Sequence, residues 1–323
     1  MMFSPDDFAH LKIPLESIRS AANNFSYSLG EHLYATKYIG LLSLSGKLIT
    51  ICARRFKKEH EDRDELFWTE VYMLSSLKHK NLVSIIGFCD EDDEKIIIYK
   101  DPSWGISLSN YLSDPMRLTW VRRLEISVGL ANVLSYIYYD EPRDFSVIHR
   151  NINCYTVLMN DDWEPMLMDW ELSLKIKASE RHHSFHTHTV SSVWDREGYA
   201  DPTYLETNTV NHKSDIYSFG IVLFELLCGR ESKIGDQDNK YLAPMAIFHY
   251  GEKILDDIID PDLWKQMDPQ SFDVFAKTAY DCLNEDRSQR PNIDEIVTRL
   301  ESALKLQMDH VRLFSVSSFF NTE

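Results

Sequence analysis

A chain of 323 residues is long enough to bury two sizeable cores, and 44% hydrophobic residues with only 11 Gly and 11 Pro describe a globular protein, not a disordered or fibrous one. Its 34 basic against 51 acidic side chains give a net charge of -17. That disfavours non-specific nucleic-acid binding and docking on anionic lipid, both of which need clustered Lys and Arg. The cysteines Cys52, Cys89, Cys154, Cys228 and Cys282 are scattered without a C-x-x-C pair, so neither a disulfide framework nor a zinc site is expected, and a reducing compartment is the simpler reading.

In chain order, Leu15, Ile18 and Ala22 fall on one face of an N-terminal helix. Residues 29–56 predict three strands, the last two joined by the turn Ser45-Gly46, and residues 61–78 predict an amphipathic helix with Leu66, Phe67, Val71, Leu74 and Leu77 as its apolar stripe. Strands follow at 82–89 and 95–99, around the acidic turn 90–94. Helices are expected over 108–112 and 120–139. In FSVIHRNINCYTVLMNDDWEPMLMDWELSL, residues 145–174, two apolar runs flank the turn Asn160-Asp161-Asp162 and predict a hairpin. His149-Arg150-Asn151 precedes it and Asp169-Trp170-Glu171 follows it. Residues 175–203 are polar; His182, His183, His186 and His188 there lack a fixed geometry for metal and are read as a solvated loop. Residues 213–230 predict a buried helix. It holds the longest apolar stretch, Ile221 to Cys228, which is too short to span a membrane and carries Glu225. Three or four helices are expected over 243–301, then a tail from 304.

The order and spacing of these motifs resemble protein kinases, in which H-R-D-L-x-x-x-N precedes D-F-G, and in particular the plant receptor-like kinases of the Pelle-like, malectin-type branch. The resemblance runs from about residue 11 to 307. It implies an α+β fold of two lobes, a small antiparallel β lobe with one helix (αC) over 24–102 and a larger, mainly helical lobe over 103–303, after an N-terminal extension over 1–23 and before a tail over 304–323. It also implies a nucleotide pocket at Gly30, His32, Ala35, Lys37, Cys52, Arg54, Glu70, Tyr99, Pro102 and Leu158. Kinases use two further glycines where His32 and Ala35 stand, an apolar adenine ceiling at Lys37 and a phosphate-pairing Lys at Arg54. Arg54 is expected to form a structural ion pair with Glu70. At the hinge, Tyr99 is the gatekeeper position, and Pro102 has no N–H for adenine.

At the catalytic positions the same resemblance finds Asn151 for the base, Asn153 for its companion Lys, Thr156 for the Mg²⁺-binding Asn and Arg196 for the substrate-loop Thr. Asp169 remains as a weak metal position. His149, Arg150, Trp170, Asp215 and Arg290 keep structural roles. Arg290 loses its family partner, because Thr203 stands where that Glu would be, with Asp201 or Glu206 as substitutes. Asn151 cannot take a proton as a carboxylate does, and a lost general base alone removes roughly 10²–10⁴ in rate. The expectation is a pseudokinase without a resident cofactor, with ATP and Mg²⁺ bound only if residual nucleotide binding survives. It would act in the cytoplasm, or at the cytoplasmic face of the plasma membrane, through receptor-like kinases or their substrates. The alternatives are a weakly active Ser/Thr kinase and a nucleotide-binding regulatory module.

Overall fold

The structure, a computed structural model, describes residues 5–31, 33–100, 106–139, 143–187, 198–235 and 241–320. His32, Pro102, Arg196 and His188 therefore lie outside the described residues. The chain divides into two compact units, one of residues 1–106, 158–162 and 166–173, the other of residues 107–157, 163–165 and 174–323. Most of the second half of the 145–174 hairpin, with Asp169, clusters with the β-rich unit.

In the first unit, β1 (Ser28–Glu31), β2 (Ala35–Leu44), β3 (Lys47–Phe56), β4 (Ile85–Cys89) and β5 (Ile96–Lys100) form an antiparallel sheet in the order β1-β2-β3-β5-β4. The β2–β3 turn has Ser45 at φ 48° and Gly46 at φ 78°, the left-handed pair that matches strand twist in a two-residue hairpin. Alternation along β3 then sorts its side chains. Ile51 and Ala53, with Ile96 and Ile98, pack against Leu15 and Ile18 of α1 (Leu15–Ala21). Cys52, Arg54 and Phe56 take the opposite face, where Phe56 meets Phe67 of α2 (Arg63–Ser76) edge-on at 5.7 Å.

The N-terminal segment is part of this unit. Lys12 pairs with Phe88 in parallel, Ile13 N–H donates to Phe88 C=O at 2.8 Å, and Glu91 accepts from Leu15 N–H at 3.0 Å. The acidic turn after β4 thus caps α1, and Lys12 and Ile13 cover an edge that would otherwise present unpaired backbone groups. The approach is close. A Cβ on Gly87 would lie 2.4 Å from Leu11 C=O, and one on Gly40 would lie 2.5 Å from Ala21 C=O.

The second unit is built on α5 (His212–Cys228), buried almost all round. Asn211 and Ser214 form a capping box at its start, and Gly229 at φ 73° ends it. Around it are α3 (Trp120–Tyr139), α4 (Pro202–Thr207), α6 (Leu242–Gly251), α7 (Pro261–Trp264), α8 (Pro269–Cys282) and α9 (Ile293–Phe320). Trp120 of α3 meets Phe275 of α8 edge-on at 4.9 Å. Two small pairs complete this unit's strands, β6 (Phe145–Ile148) with β9 (Leu174–Lys177) and β10 (Phe185–His186) with β11 (Thr209–Val210); a third, β7 (Val157–Met159) with β8 (Pro165–Leu167), clusters mostly with the first unit. One expectation is corrected: residues Leu108–Tyr111 form a single 3-10 turn capped by Ser107 and Asn110 instead of a helix. The segment from 304 continues α9 to Phe320. Among the described residues no helix is long and apolar enough to cross a membrane.

The close crossing at Gly87 gives a direct test. Gly87→Val forces the methyls into Leu11 and Ile13, and overpacking of this kind costs about 1–3 kcal/mol. We expect a lower melting temperature by calorimetry, with protease cleavage appearing first within residues 5–25.

Candidate functional site

Strand register creates the electrostatic problem at the centre of the first unit. Lys37 of β2 is directly opposite Arg54 of β3, so two cations share one face of the sheet. Like charges in that position repel. Both are buried, Lys37 at 4% and Arg54 at 1% exposure. Three carboxylates answer them. Arg54 Nη1 pairs with Glu70 of α2 and with Glu171 Oε2 at 3.1 Å, and its Nη2 lies 3.5 Å from Asp169. Lys37 Nζ lies 3.3 Å from Asp169 and 3.2 Å from Met168 Sδ. Glu70 Oε1 also accepts from Tyr99 O–H at 2.5 Å and from Trp170 N–H at 3.4 Å.

Burial pushes the Glu70 carboxyl up to about 7 against the pull of Arg54, with Glu171 and Asp169 adding to the rise. Burial lowers the Arg54 guanidinium, but Asp169, Glu171 and Glu70 outweigh it and raise it overall. Burial likewise drives the Tyr99 phenol up, so it stays a donor. Asp169 is held at φ 63°, a conformation costly for a side chain with a Cβ and found where surrounding structure enforces it. Trp170 is fully buried, with Nε1 donating to Leu167 C=O at 3.3 Å.

Of the expected nucleotide positions, Arg54, Glu70 and Tyr99 come together here. Lys37 does too, but not as a ceiling over a ring: its amine is drawn inward onto Asp169. Cys52, Leu158 and Ala35 are buried apolar positions. Gly30 lies in β1 at φ 155°, with open space where a Cβ would be. Asp169, the sequence's metal position, groups with Glu70 and Glu171 as the one cluster of possible metal ligands among the described residues. Two fixed cations sit within that same cluster.

The second unit holds the His149–Thr156 loop. Asp215 accepts from His149 N–H at 2.7 Å and Arg150 N–H at 2.8 Å, and from Tyr138 O–H at 3.2 Å. Burial raises the Asp215 carboxyl to about 6 even though all three donors favour its charge. Arg150 sits at φ 66°. Beyond it several of the bonds lie within the loop. Asn153 Nδ2 donates to Asn151 Oδ1 at 2.9 Å, and Asn153 Oδ1 accepts from Tyr155 N–H at 2.9 Å and Thr156 N–H at 3.1 Å. The Thr156 hydroxyl donates to Asn151 C=O at 2.8 Å.

Arg290 has a partner. Its Nη2 lies 2.9 Å from Asp201, the first of the two substitutes the sequence offered, and Arg287 Nε lies 2.6 Å from the same carboxylate. Burial alone would raise the Asp201 carboxyl, but the two guanidiniums hold it below its usual range. Sequence reasoning missed Glu171 as a partner of Arg54. It also missed the buried set Cys154, Tyr199 and Glu225, in which burial pushes the Glu225 carboxyl up to about 8. The signal for the first was the acid standing where kinases have Gly; for the second, an acid inside an apolar helical run.

An Arg on the third strand paired with a helical Glu, a braced His-Arg loop and an Asp in a left-handed turn after a small hairpin are the frame of a protein kinase. The profile described as protein tyrosine and serine/threonine kinase matches residues 24–300, and the chain belongs to that family. It is 33% identical over 295 residues to the receptor-like protein kinase FERONIA of Arabidopsis thaliana, covering 90% of this chain and 32% of that protein. It is 34% identical over 302 residues to ANXUR2 (92% and 34%) and over 304 residues to HERK 1 (93% and 35%), both receptor-like protein kinases of the same plant. These relatives are of the malectin-type branch. The chain spans about a third of the length of the curated relatives it matches.

Two outcomes are expected from the buried charges. Arg54→Met leaves three buried carboxylates facing one another, and removing one partner of a buried ion pair costs about 3–5 kcal/mol, measurable by urea unfolding. The fold also holds the Glu70 proton more tightly than the unfolded chain, whose carboxyl titrates near 4.5. Its contribution to stability is therefore full below that value and is lost as pH rises through about 7. In melting curves across that window, Glu70→Gln should gain stability relative to the natural chain as pH rises; a constant difference would contradict this assignment.

Proposed function

We propose that this chain is a catalytically inactive member of its kinase family, working in the cytoplasm through protein contacts as a scaffold or allosteric partner of receptor-like kinases. The observation that carries this reading is the capture of Asp169. Two buried cations, Lys37 and Arg54, hold the carboxylate that would have to grip Mg²⁺, and Arg54 is itself held by Glu171. A metal entering there must displace ammonium and guanidinium groups that would then be left buried without their anion. The donor set does not fit Mg²⁺, which wants oxygen ligands in octahedral array with room for water.

The loop in the second unit supports the same reading. Asn151 offers an amide where a proton acceptor is needed, and the Thr156 hydroxyl is spent within its own loop. What these residues do is hold a loop in shape. No reaction step is assigned to them.

Purified protein incubated with ATP and either Mg²⁺ or Mn²⁺ should incorporate no more phosphate than its Asp169→Ala variant. Its melting temperature should be unmoved by nucleotide, because a ligand that binds only the folded state raises stability by mass action. Nucleotide-dependent phosphate transfer that collapses in the Asp169→Ala or Arg54→Ala variant would replace this reading with an active kinase.

A further inference from the structure

The first unit contains a cavity of about 750 Å³ away from the charge cluster, between the N-terminal 3-10 turn Pro5–Leu11, the last turn of α2 and the segment leading into β4. Its volume falls in the range of sites that enclose several side chains or a small ligand. Phe8, Leu74 and Leu82 give it apolar walls, and Lys78, Lys80 and His10 are at its rim. Among the described residues no acidic side chain lines it; Asp6 and Asp7, on the same 3-10 turn, are exposed and are not among the lining residues. In a chain of net charge -17 this is an unusual place.

We propose that this groove is a docking site for an acidic peptide segment of a partner protein, anchored by an apolar side chain in the cavity with carboxylates at the lysine rim. Charge complementarity argues for that occupant. A basic or neutral segment meets no counter-charge in the groove, whereas an acidic one is repelled by most of this chain's surface and attracted at this rim. Leu74 and Ser75 in the lining belong to the helix that carries Glu70, so an occupant touches the element on which Arg54 is fixed. The proposal stands independently of catalytic activity, since none of the lining residues belongs to the charge cluster.

The test uses the full chain and two fluorescein-labelled dodecapeptides, one of Leu, Phe and Glu, the other with every Glu replaced by Lys. Fluorescence anisotropy should give saturable binding of the acidic peptide, weakening with added NaCl, and none of the basic one. The Lys78→Glu/Lys80→Glu double variant should bind at least tenfold more weakly. Ser84→Trp, which crowds the cavity without changing charge, should also weaken binding severalfold. Both variants should melt as the natural chain does, because all three positions are exposed. Equal binding of the two peptides, no saturable binding at millimolar peptide, or an unchanged affinity in the double variant would each overturn the proposal. Binding seen only after residues 1–4 are removed would give the groove to the chain's own N-terminus and overturn it equally.

Discussion

Arg54 is fixed inside the first unit by carboxylates from two separate parts of the chain, and most of that unit's organisation follows from the requirement to satisfy it. A buried guanidinium without its anions is among the costliest defects a fold can carry. The sheet aggravates the problem by setting Lys37 beside it. Satisfying both cations requires α2 to present Glu70 and the segment after β8 to present Asp169 and Glu171 on the same side of β3. Those demands fix the helix, the sheet and the segment relative to one another within the unit. Two cations and three carboxylates leave one surplus negative charge, and the rise of the Glu70 carboxyl to about 7 eases it by admitting a proton near neutrality. Tyr99 and the Trp170 amide supply the remaining donors.

The second unit separates a frame from its reagents in a different way. Asp215 braces the backbone at His149 and Arg150, and Arg150 keeps a left-handed conformation that the brace enforces. Past Arg150, Asn151, Asn153 and Thr156 bond within the loop, while Cys154 and Tyr155 reach Tyr199 and Glu231 outside it. Asn153 bonds Asn151, and Thr156 bonds the loop's backbone. Asn151 and Thr156 stand at the positions where kinases carry a proton acceptor and a cation ligand, and both are bonded into the loop. Membership of the kinase family settles the fold; what the chain does has to be argued from these atoms.

Much of the first unit was legible because alternation is a strong signal. The β3 pattern, apolar on both parities from Leu48 to Ala53 before Arg54 and Arg55, requires a two-sided environment, and the stripe Leu66 to Leu77 supplies one of its faces. The N-terminal helix was readable from Leu15, Ile18 and Ala22, all buried. What the chain did not disclose was direction and partnership over long separations. Lys37 reads as a blocked adenine ceiling because a strand pattern gives a face and not the reach of a flexible amine. Glu171 reads as a lost Gly because its partner is 117 positions away. The helix over 304–320 was not legible in the tail, yet the backbone of α9 runs unbroken from Ile293 to Phe320.

The substitutions that distance this chain from an active kinase have a physical relation to one another. An Arg in place of Lys presents a planar fork with more donors than one carboxylate can use. Glu171 takes up one of them at 3.1 Å, at a position where Gly could offer nothing. Thr203 removes an acid from the environment of Arg290, and Asp201 provides one at 2.9 Å. In each case a buried cation that would have been left exposed to the low-dielectric interior has an anion at bonding distance. Random loss of catalytic groups would leave such charges unanswered and the fold weakened by several kcal/mol apiece. Each of these buried cations is answered by a carboxylate close at hand, so neither substitution leaves an unpaired charge in the interior.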